Sequence, residues 1–121
     1  MRNLFGEKLK RLREERGISQ TELGKRLGHE GNSYIHDVER GAFVPPQEKL
    51  RDMARALDVP YRALKEMALE ARLDGLGFRE PLLVGLLKDY PRLTQEDRAE
   101  VMRAYLKVKQ RKQRRDHGQD H

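Results

Sequence analysis

The stretch ISQTELGKRLGHEGNSYIHDVERG, residues 18–41, decides the fold of this chain. Ser19 is followed three positions later by Glu22, a spacing that predicts a capping box at the start of a helix. Two leucines four residues apart give this helix a single apolar face. Gly28 predicts its end, because glycine readily adopts the left-handed backbone found after helix C-termini. The stretch therefore opens with a helix of about two turns.

A second short helix is predicted after the polar turn His-Glu-Gly. Ile35 and Val38 lie three positions apart and predict its buried face, and Gly41 predicts its end. The other faces carry polar side chains, namely Asn32, Ser33, His36 and Asp37. Two short helices joined by a tight turn are the helix-turn-helix arrangement, whose second helix enters a DNA major groove. The pattern therefore predicts an interaction with DNA.

Further helices are predicted on both sides of this stretch. Residues 3–16 predict a first helix that ends at Gly17. Pro46 predicts the first turn of a fourth helix, and a fifth is predicted from about residue 61. The loop before the fourth helix contains Phe43 and Val44, which we expect to fold back on the core. The apolar stripes are Phe5, Leu9 and Leu12 in the first helix, Leu50, Met53, Ala54 and Leu57 in the fourth, and Leu64, Met67 and Ala68 in the fifth.

The composition limits what the chain can be. Its 121 residues, 36% of them hydrophobic, allow one domain or a small domain with an appendage. The absence of cysteine excludes disulfides and cysteine-ligated metals. No apolar run reaches the roughly 18 residues of a membrane span, and the N-terminus lacks the apolar region of a secretory signal. We therefore expect a cytoplasmic protein that does not bind membranes.

The charge points to a polyanionic partner. The formal net charge is +6, and the basic excess lies at the two ends of the chain. Residues 107–115 contain six basic side chains and no acidic one. This run either complements the negative end of its own helix or contacts the phosphates of a nucleic acid.

Residues 9–64 resemble the Xre/Cro-type helix-turn-helix regulators, a family that includes phage repressors. The resemblance rests on the segments LKRLREERGISQTELGKRLG, SYIHDVERG and VPPQEKLRDMARALDVPYRAL. It implies a five-helix repressor-like domain that binds operator DNA as a dimer, with its third helix in the major groove. The expected fold class is thus all-α, with five helices in the DNA-binding domain and two more helices after it.

The resemblance also implies roles for individual residues. Gln20 would contact a phosphate and brace the third helix, Asn32 and Ser33 match the leading base-contacting positions, and Asp37 matches a further one. A carboxylate usefully accepts only from cytosine, so Asp37 is equally suited to capping or to pairing with a nearby cation. The predicted DNA-binding residues are Gln20, Thr21, Asn32, Ser33, Tyr34, His36, Asp37 and Arg40.

Arg13 and Glu39 match a pair that forms a buried salt bridge in phage repressors, so a structural role is predicted for both. The sequence departs from the family pattern in two places. The turn has three residues, His-Glu-Gly, where two are usual, and Gly24 stands where alanine is common. A glycine inside a helix costs roughly 1 kcal/mol relative to alanine unless close packing offsets the loss.

No metal, cofactor or catalytic site is predicted. His29, Glu30 and His36, together with the C-terminal DHGQDH, lack the ligand spacing of known zinc motifs. The sequence contains no plausible group of nucleophile, base and orienting acid, and no phosphate-binding or dinucleotide-binding glycine motif. We therefore expect a protein that is not an enzyme.

A separate C-terminal part is predicted after residues 1–73. Residues 74–78 form a hinge, 79–113 a helical dimerisation or partner unit, and 114–121 a basic, disordered tail. The long helix of this unit begins after Thr94, its predicted N-cap. The expected dimer or partner surface consists of Leu82, Leu83, Leu86, Leu87, Val101, Met102, Tyr105 and Leu106. This apolar surface either joins two copies of the chain or covers the fifth helix of its own chain.

The sequence thus predicts a homodimeric repressor that binds a pseudo-palindromic operator in double-stranded DNA. Two alternatives stay open. The first is an antitoxin that binds both DNA and a toxin protein through the leucine-rich unit. The second is a nucleic-acid or protein adaptor that does not read sequence and uses its basic tail instead.

Overall fold

The structure, a computed structural model, describes residues 3–119, with side chains described for residues 3–116. This part of the chain contains α-helices and one 3₁₀ turn and no strand, which confirms the predicted all-α class. The α-helices are α1 (Leu4–Glu15), α2 (Gln20–Arg26), α3 (Ser33–Glu39), α4 (Gln47–Leu57), α5 (Tyr61–Gly75), α6 (Pro81–Asp89) and α7 (Gln95–Gln119). The 3₁₀ turn, Tyr90–Arg92, lies between α6 and α7.

Side-chain caps begin three of these helices. Asn3 Oδ1 accepts from the amide of Gly6 at 3.1 Å, and Ser19 Oγ accepts from the amide of Glu22 at 3.0 Å. Thr94 Oγ1 accepts from the amide three residues later at 3.1 Å. Each cap satisfies one of the amides that the first turn of a helix leaves without a partner. Ser19 and Thr94 are the caps that the sequence predicted.

The core lies among α1–α5. Helix α1 packs on α3 and α5, α2 packs on α3 and α4, and α4 also packs on α5. The largest fully buried side chains are Phe5, Leu9, Leu23, Ile35, Val38, Pro45, Met53, Leu57 and Leu64. The apolar spacing in the sequence thus corresponds to the side chains of each helix or loop that face the core.

Not every expected core residue is fully buried. Leu12 and Met67 are half-buried at the edge of the core cluster. Phe43 does not fold back on the core: its side chain is 37% exposed. The reason lies in the loop itself, because Val44 and Pro45 take its inward positions. Phe43 instead lies edge-on to the ring of Tyr34, with centroids 5.5 Å apart.

Helix α1 approaches the end of α3 at backbone distance. A Cβ atom placed on Gly6 would lie 2.4 Å from the carbonyl oxygen of Val38 and 2.6 Å from that of Glu39. Asn3 Nδ2 adds a hydrogen bond of 3.2 Å to the carbonyl of Gly41, just beyond α3. Gly6 and Asn3 therefore fix the C-terminal end of α3 against the N-terminal end of α1.

The chain divides into two compact units between Val84 and Gly85. The first unit contains α1–α5 and the start of α6. Residues 74–78, predicted as a hinge, hold the last residues of α5 and its C-terminal cap, where the amide of Phe78 donates to the carbonyl of Leu73 at 2.8 Å.

The second unit contains the end of α6, the 3₁₀ turn and α7. Arg98 joins its parts: its Nε donates to the carbonyl of Tyr90 at 3.1 Å and its Nη2 to that of Pro91 at 2.6 Å. Helix α7 runs to Gln119 and so includes most of the segment predicted as a disordered tail; residues 120–121 lie outside the described part. Residues 107–115, which are Lys, Arg and Gln apart from Val108, are strong helix formers and favour continuation of the helix into this segment.

Among the residues that the structure describes, no helix is both long enough and apolar enough to span a membrane.

Candidate nucleic-acid interface

Helices α2 and α3 are joined by a close backbone contact. A Cβ atom placed on Gly24, in the middle of α2, would lie 2.3 Å from the carbonyl oxygen of Gly31 in the connecting turn. Only a glycine leaves room for that carbonyl. At the end of α2, the amide of His29 donates to the carbonyl of Gly24 at 2.9 Å and closes the helix. The turn is therefore held directly against the helix that precedes it.

A buried ion pair between Arg13 and Glu39 anchors α3 to α1. Arg13 Nε and Nη2 donate to the two carboxylate oxygens of Glu39 at 2.7 and 3.0 Å, a bidentate arrangement. Arg13 Nη1 also donates to the carbonyl of Ile18 at 2.8 Å, which ties the same guanidinium to the start of α2. The hydrogen bonding that Arg13 donates to the Glu39 carboxylate raises the pKa of Arg13, so the guanidinium stays charged. The structure thus brings together the two residues for which the resemblance implies a salt bridge.

A chain of hydrogen bonds runs from this ion pair to the surface. Gln20 Nε2 donates to Glu39 Oε1 at 3.1 Å, and Gln20 Oε1 accepts from Asn32 Nδ2 at 3.4 Å. Gln20 is half-buried, whereas Asn32 is exposed. The side-chain amide of Gln20 therefore connects the buried Glu39 with Asn32, the residue that precedes α3.

The outer face of α3 is polar. Ser33, His36, Asp37 and Arg40 lie at positions i, i+3, i+4 and i+7, which share one face of a helix. Ser33, His36 and Arg40 are exposed and Asp37 is half-exposed. Arg40 Nε donates to Asp37 Oδ1 at 3.0 Å. Asp37 thus pairs with a nearby cation, one of the roles considered for it from the sequence.

Tyr34 lies at the side of α3 rather than on its outer face. Its ring stacks on that of His29 with centroids 4.7 Å apart, and Lys49 Nζ lies 5.5 Å above the Tyr34 ring. Phe43 contacts the same ring edge-on. Burial raises the pKa of the Tyr34 hydroxyl. These contacts connect the turn, α3 and α4 next to the candidate interface.

An open groove of about 460 Å³ separates the outer faces of α1 and α3. Its walls carry cations from both helices, namely Lys10, Arg11 and Arg40, together with His36. Glu7 and Glu14 also line it, so the groove is mixed in charge. It offers hydrogen-bond donors beside the polar face of α3 but no enclosed cavity.

The first unit is similar in sequence to known proteins. The sequence model of the helix-turn-helix family matches residues 9–64, which include α2, the turn and α3. An uncharacterised HTH-type transcriptional regulator from Sinorhizobium fredii is 38% identical over 61 residues, which cover 50% of this chain and 78% of the relative. The chain belongs to the Xre-like helix-turn-helix family.

A second relative of this helix-turn-helix protein comes from a virus. The ImmF control region 10 kDa protein of Bacillus phage phi105 is 28% identical over 71 residues, which cover 59% of this chain and 78% of the relative. The family model ends at residue 64, so it does not extend over α6 and α7. The family match thus lies within the first unit of the protein and does not include the second.

The helix-turn-helix fold places the predicted DNA-binding residues in three settings. Thr21, Asn32, Ser33, His36 and Arg40 are exposed. Gln20 and Asp37 are half-exposed and engaged by neighbouring side chains, whereas Tyr34 is half-buried in the aromatic cluster. The predicted dimer or partner residues are exposed at Leu82, Leu87, Met102, Tyr105 and Leu106 and half-buried at Leu83, Leu86 and Val101. In the part of the chain that the structure describes, no cluster of three or more His, Cys, Asp or Glu side chains could hold a metal ion.

Sequence reasoning missed three contributors to the site, namely Asn3, Gly6 and Lys49. Asn3 and Gly6 hold the far end of α3, and Lys49 lies over Tyr34. Asn3 had a readable signal, because asparagine before an apolar-periodic segment is a preferred N-cap. Gly6 and Lys49 had none, since their partners lie 15 or more positions away in the sequence.

Proposed function

We propose that this protein is a sequence-specific transcriptional regulator that inserts α3 into the major groove of double-stranded DNA. The observation that carries the proposal is the polar outer face of α3, presented on a helix whose inner face is fixed. Ile35 and Val38 are fully buried, and Glu39 is held by Arg13. An α-helix with its side chains is about 10 to 12 Å in diameter, which fits a major groove about 12 Å wide.

Asn32 and Ser33 are the proposed base readers. An asparagine amide can make two hydrogen bonds to adenine, and a serine hydroxyl can donate or accept at several base edges. Asn32 forms no cap with α3, so its amide has capacity for a base besides its long contact with Gln20. The relay from Glu39 through Gln20 holds this amide in a defined position, which favours selectivity.

Phosphate contacts would set the register of the domain on the duplex. Thr21 is exposed in the first turn of α2, next to Gln20, where backbone amides and the helix dipole favour an anion. Lys10 and Arg11 on α1 and Arg40 after α3 line the adjoining groove and supply positive charge. His36 lines the same groove, and Asp37 pairs with Arg40.

The protein would act as a homodimeric repressor. Leu82 is 90% exposed, and Tyr105 and Leu106 are 57% and 49% exposed, so both units present apolar side chains to water. Association of two copies would bury them and would present two α3 helices to a pseudo-palindromic operator. A bound dimer would then exclude RNA polymerase sterically. The phage relative's name as a control-region protein supports a role in gene control.

The decisive experiment is selection of bound sequences from a random DNA pool with the full chain. The proposal expects enrichment of a two-fold symmetric site whose half-sites lie about one helical turn apart. Recovery of sequences with no shared motif would exclude sequence-specific regulation. Enrichment of a single asymmetric half-site would retain base reading and exclude the dimer.

The base-reading role is tested by Asn32→Ala on the selected site and on random duplex. The loss of an adenine contact should cost about 1 to 3 kcal/mol on the selected site and relax the preference at one position. Binding to random duplex should change little. Gln95→Ala, which removes another exposed amide at the start of α7, serves as the control. Equal losses of Asn32→Ala on both duplexes would refute the assignment.

A further inference from the structure

The basic run of α7 forms a stripe on one side of an exposed helix. Every side chain from residue 102 to residue 116 is exposed. Because α7 is continuous through this region, positions four and seven residues apart align along one face. The resulting stripe consists of Arg103, Lys107, Arg111, Arg114 and Arg115. Lys109 and Lys112 lie off the stripe, on the side of the helix that carries Tyr105.

The dipole of α7 itself does not account for this stripe. Cations stabilise a helix only within about its last turn, and α7 ends at Gln119. Lys107 and Arg111 lie two to three turns before that end. Among the cations of the stripe, only Arg103 has an acid three or four residues away in the helix, namely Glu100. Like charges four residues apart repel one another, so the stripe destabilises the free helix unless an anion neutralises it.

We propose that this stripe binds the phosphate backbone of double-stranded DNA. The inference rests on the proposed function, because that function supplies the duplex. The cations of the stripe are spaced about 6 Å apart along the helix where they lie four residues apart. Such a row of cations neutralises successive phosphates without reading bases and releases their counterions. The stripe would add affinity that α3, with Asp37 on its face, does not provide.

Two other polyanions fit the stripe less well. Insertion into a membrane surface requires an apolar face along the whole row of cations, but the apolar side chains of α7 end at Val108, before Arg111, Arg114 and Arg115. Recognition of single-stranded RNA relies on aromatic side chains that stack on bases, and the last aromatic residue of α7 is Tyr105. A duplex backbone needs neither feature, since charge and spacing suffice.

The test compares two full-length double variants with equal charge loss. Arg111→Gln with Arg115→Gln removes two cations of the stripe, and Lys109→Gln with Lys112→Gln removes two beside it. Glutamine is a good helix former, so circular dichroism should show unchanged helicity for both variants. The probe is a random duplex of about 30 base pairs, titrated over a range of salt concentrations.

The stripe variant should bind the duplex on the order of tenfold more weakly at moderate salt, and its log–log salt slope should fall by about 1.8. The variant beside the stripe should change the slope by less than about half that amount. Equal changes in the two variants, or no change in either, would overturn the proposal. Tighter binding of a single-stranded RNA of the same length, lost in the stripe variant, would also overturn it in favour of RNA. Binding to vesicles with one-third anionic lipid, lost in the same variant, would overturn it in favour of a membrane.

Failure of the proposed function would look different. If α3 does not read bases, selection yields no shared motif, yet the difference in salt slope between the two double variants persists on random duplex. If the stripe does not bind DNA, the selected motif is retained and the slopes coincide. The two results are independent because a random duplex carries no operator.

Discussion

The two units of this protein use the same apolar residue types in opposite ways. Leu9, Leu23 and Leu64 in the first unit are fully buried, whereas Leu106 in the second is 49% exposed. Within the described residues, neither α6 nor α7 contains a buried side chain. The first unit encloses its own core, and the family match falls inside it. Helices α1–α5 thus enclose a core of their own, while α6 and α7 present side chains that gain from a partner.

The largest difference between the two units is expected when one charge is removed from an ion pair in each unit. Glu39→Gln leaves the guanidinium of Arg13 buried without its counter-charge and should cost about 3 to 5 kcal/mol of the free energy of unfolding. Asp89→Asn removes one partner of Arg92 at the surface and should cost less than about 1 kcal/mol. Urea unfolding followed by circular dichroism measures both. Similar losses in the free energy of unfolding would show that burial does not make the first ion pair more important than the second.

Truncating one leucine in each unit tests whether apolar side chains stabilise the fold or the association of two copies. Leu9→Ala opens a cavity in the core and should cost about 2 to 5 kcal/mol. Leu106→Ala should leave unfolding of the monomer within about 0.5 kcal/mol of the parent. At dimer-forming concentrations, Leu106→Ala should instead raise the dissociation constant in analytical ultracentrifugation. A large loss of monomer stability in Leu106→Ala would contradict the proposal that its side chain serves association.

Adding a methyl group to one glycine in each unit should have opposite effects. Gly6→Ala forces a Cβ onto two backbone carbonyls of α3 and should destabilise by about 1 to 3 kcal/mol. Gly85→Ala meets open space inside α6 and should stabilise by about 0.4 to 1 kcal/mol. Thermal unfolding of both variants provides the measurement. Gly6→Ala should also weaken DNA binding, because α3 must shift to accommodate the methyl group.

The smallest expected effect concerns pH and only the first unit. Burial raises the pKa of Tyr34 above its ordinary value of 10.0, so the folded state holds this proton more tightly than the unfolded state. The resulting stability is fully present below pH 10 and is lost as pH rises through the pKa of folded Tyr34. Arg13, whose pKa is also raised, contributes with the same sign at still higher pH.

Tyr34→Phe should therefore make the alkaline decline in stability shallower, while stability at pH 7 changes little. Urea unfolding at several pH values from neutral to alkaline measures this decline. A decline as steep as that of the parent would show that the Tyr34 hydroxyl does not govern it.

Most features of the first unit could be predicted from short-range patterns in the sequence. The predicted span of the first helix, residues 3–16, encloses α1, and Gly17, Gly28 and Gly41 all adopt positive φ angles after α1, α2 and α3. These features depend on neighbours within four residues, which a sequence displays directly. The apolar spacing likewise identified Leu9 and Ile35 as core residues, because a helix converts spacing into a face.

Features that depend on distant partners could not be read in the same way. In the sequence, Gly6 is only a residue that destabilises a helix. The structure shows that its lack of a side chain makes room for the carbonyl groups of Val38 and Glu39. Phe43 was expected in the core because a single sequence does not show that Val44 and Pro45 would fill the space. The length of α7 was underestimated because a charged, apolar-poor segment reads equally well as a solvated helix or a tail.

The contact between Gly24 and the carbonyl of Gly31 has a consequence for protein engineering. The two departures from the family pattern, a longer turn and a glycine in α2, are one change, since the carbonyl of the longer turn occupies the place of an alanine methyl group. Residues 24–41 would therefore have to be transplanted together if this recognition helix were grafted onto a relative with alanine at that position. A graft that begins at His29 would place the new turn against the host's methyl group and tilt the helix away from its groove.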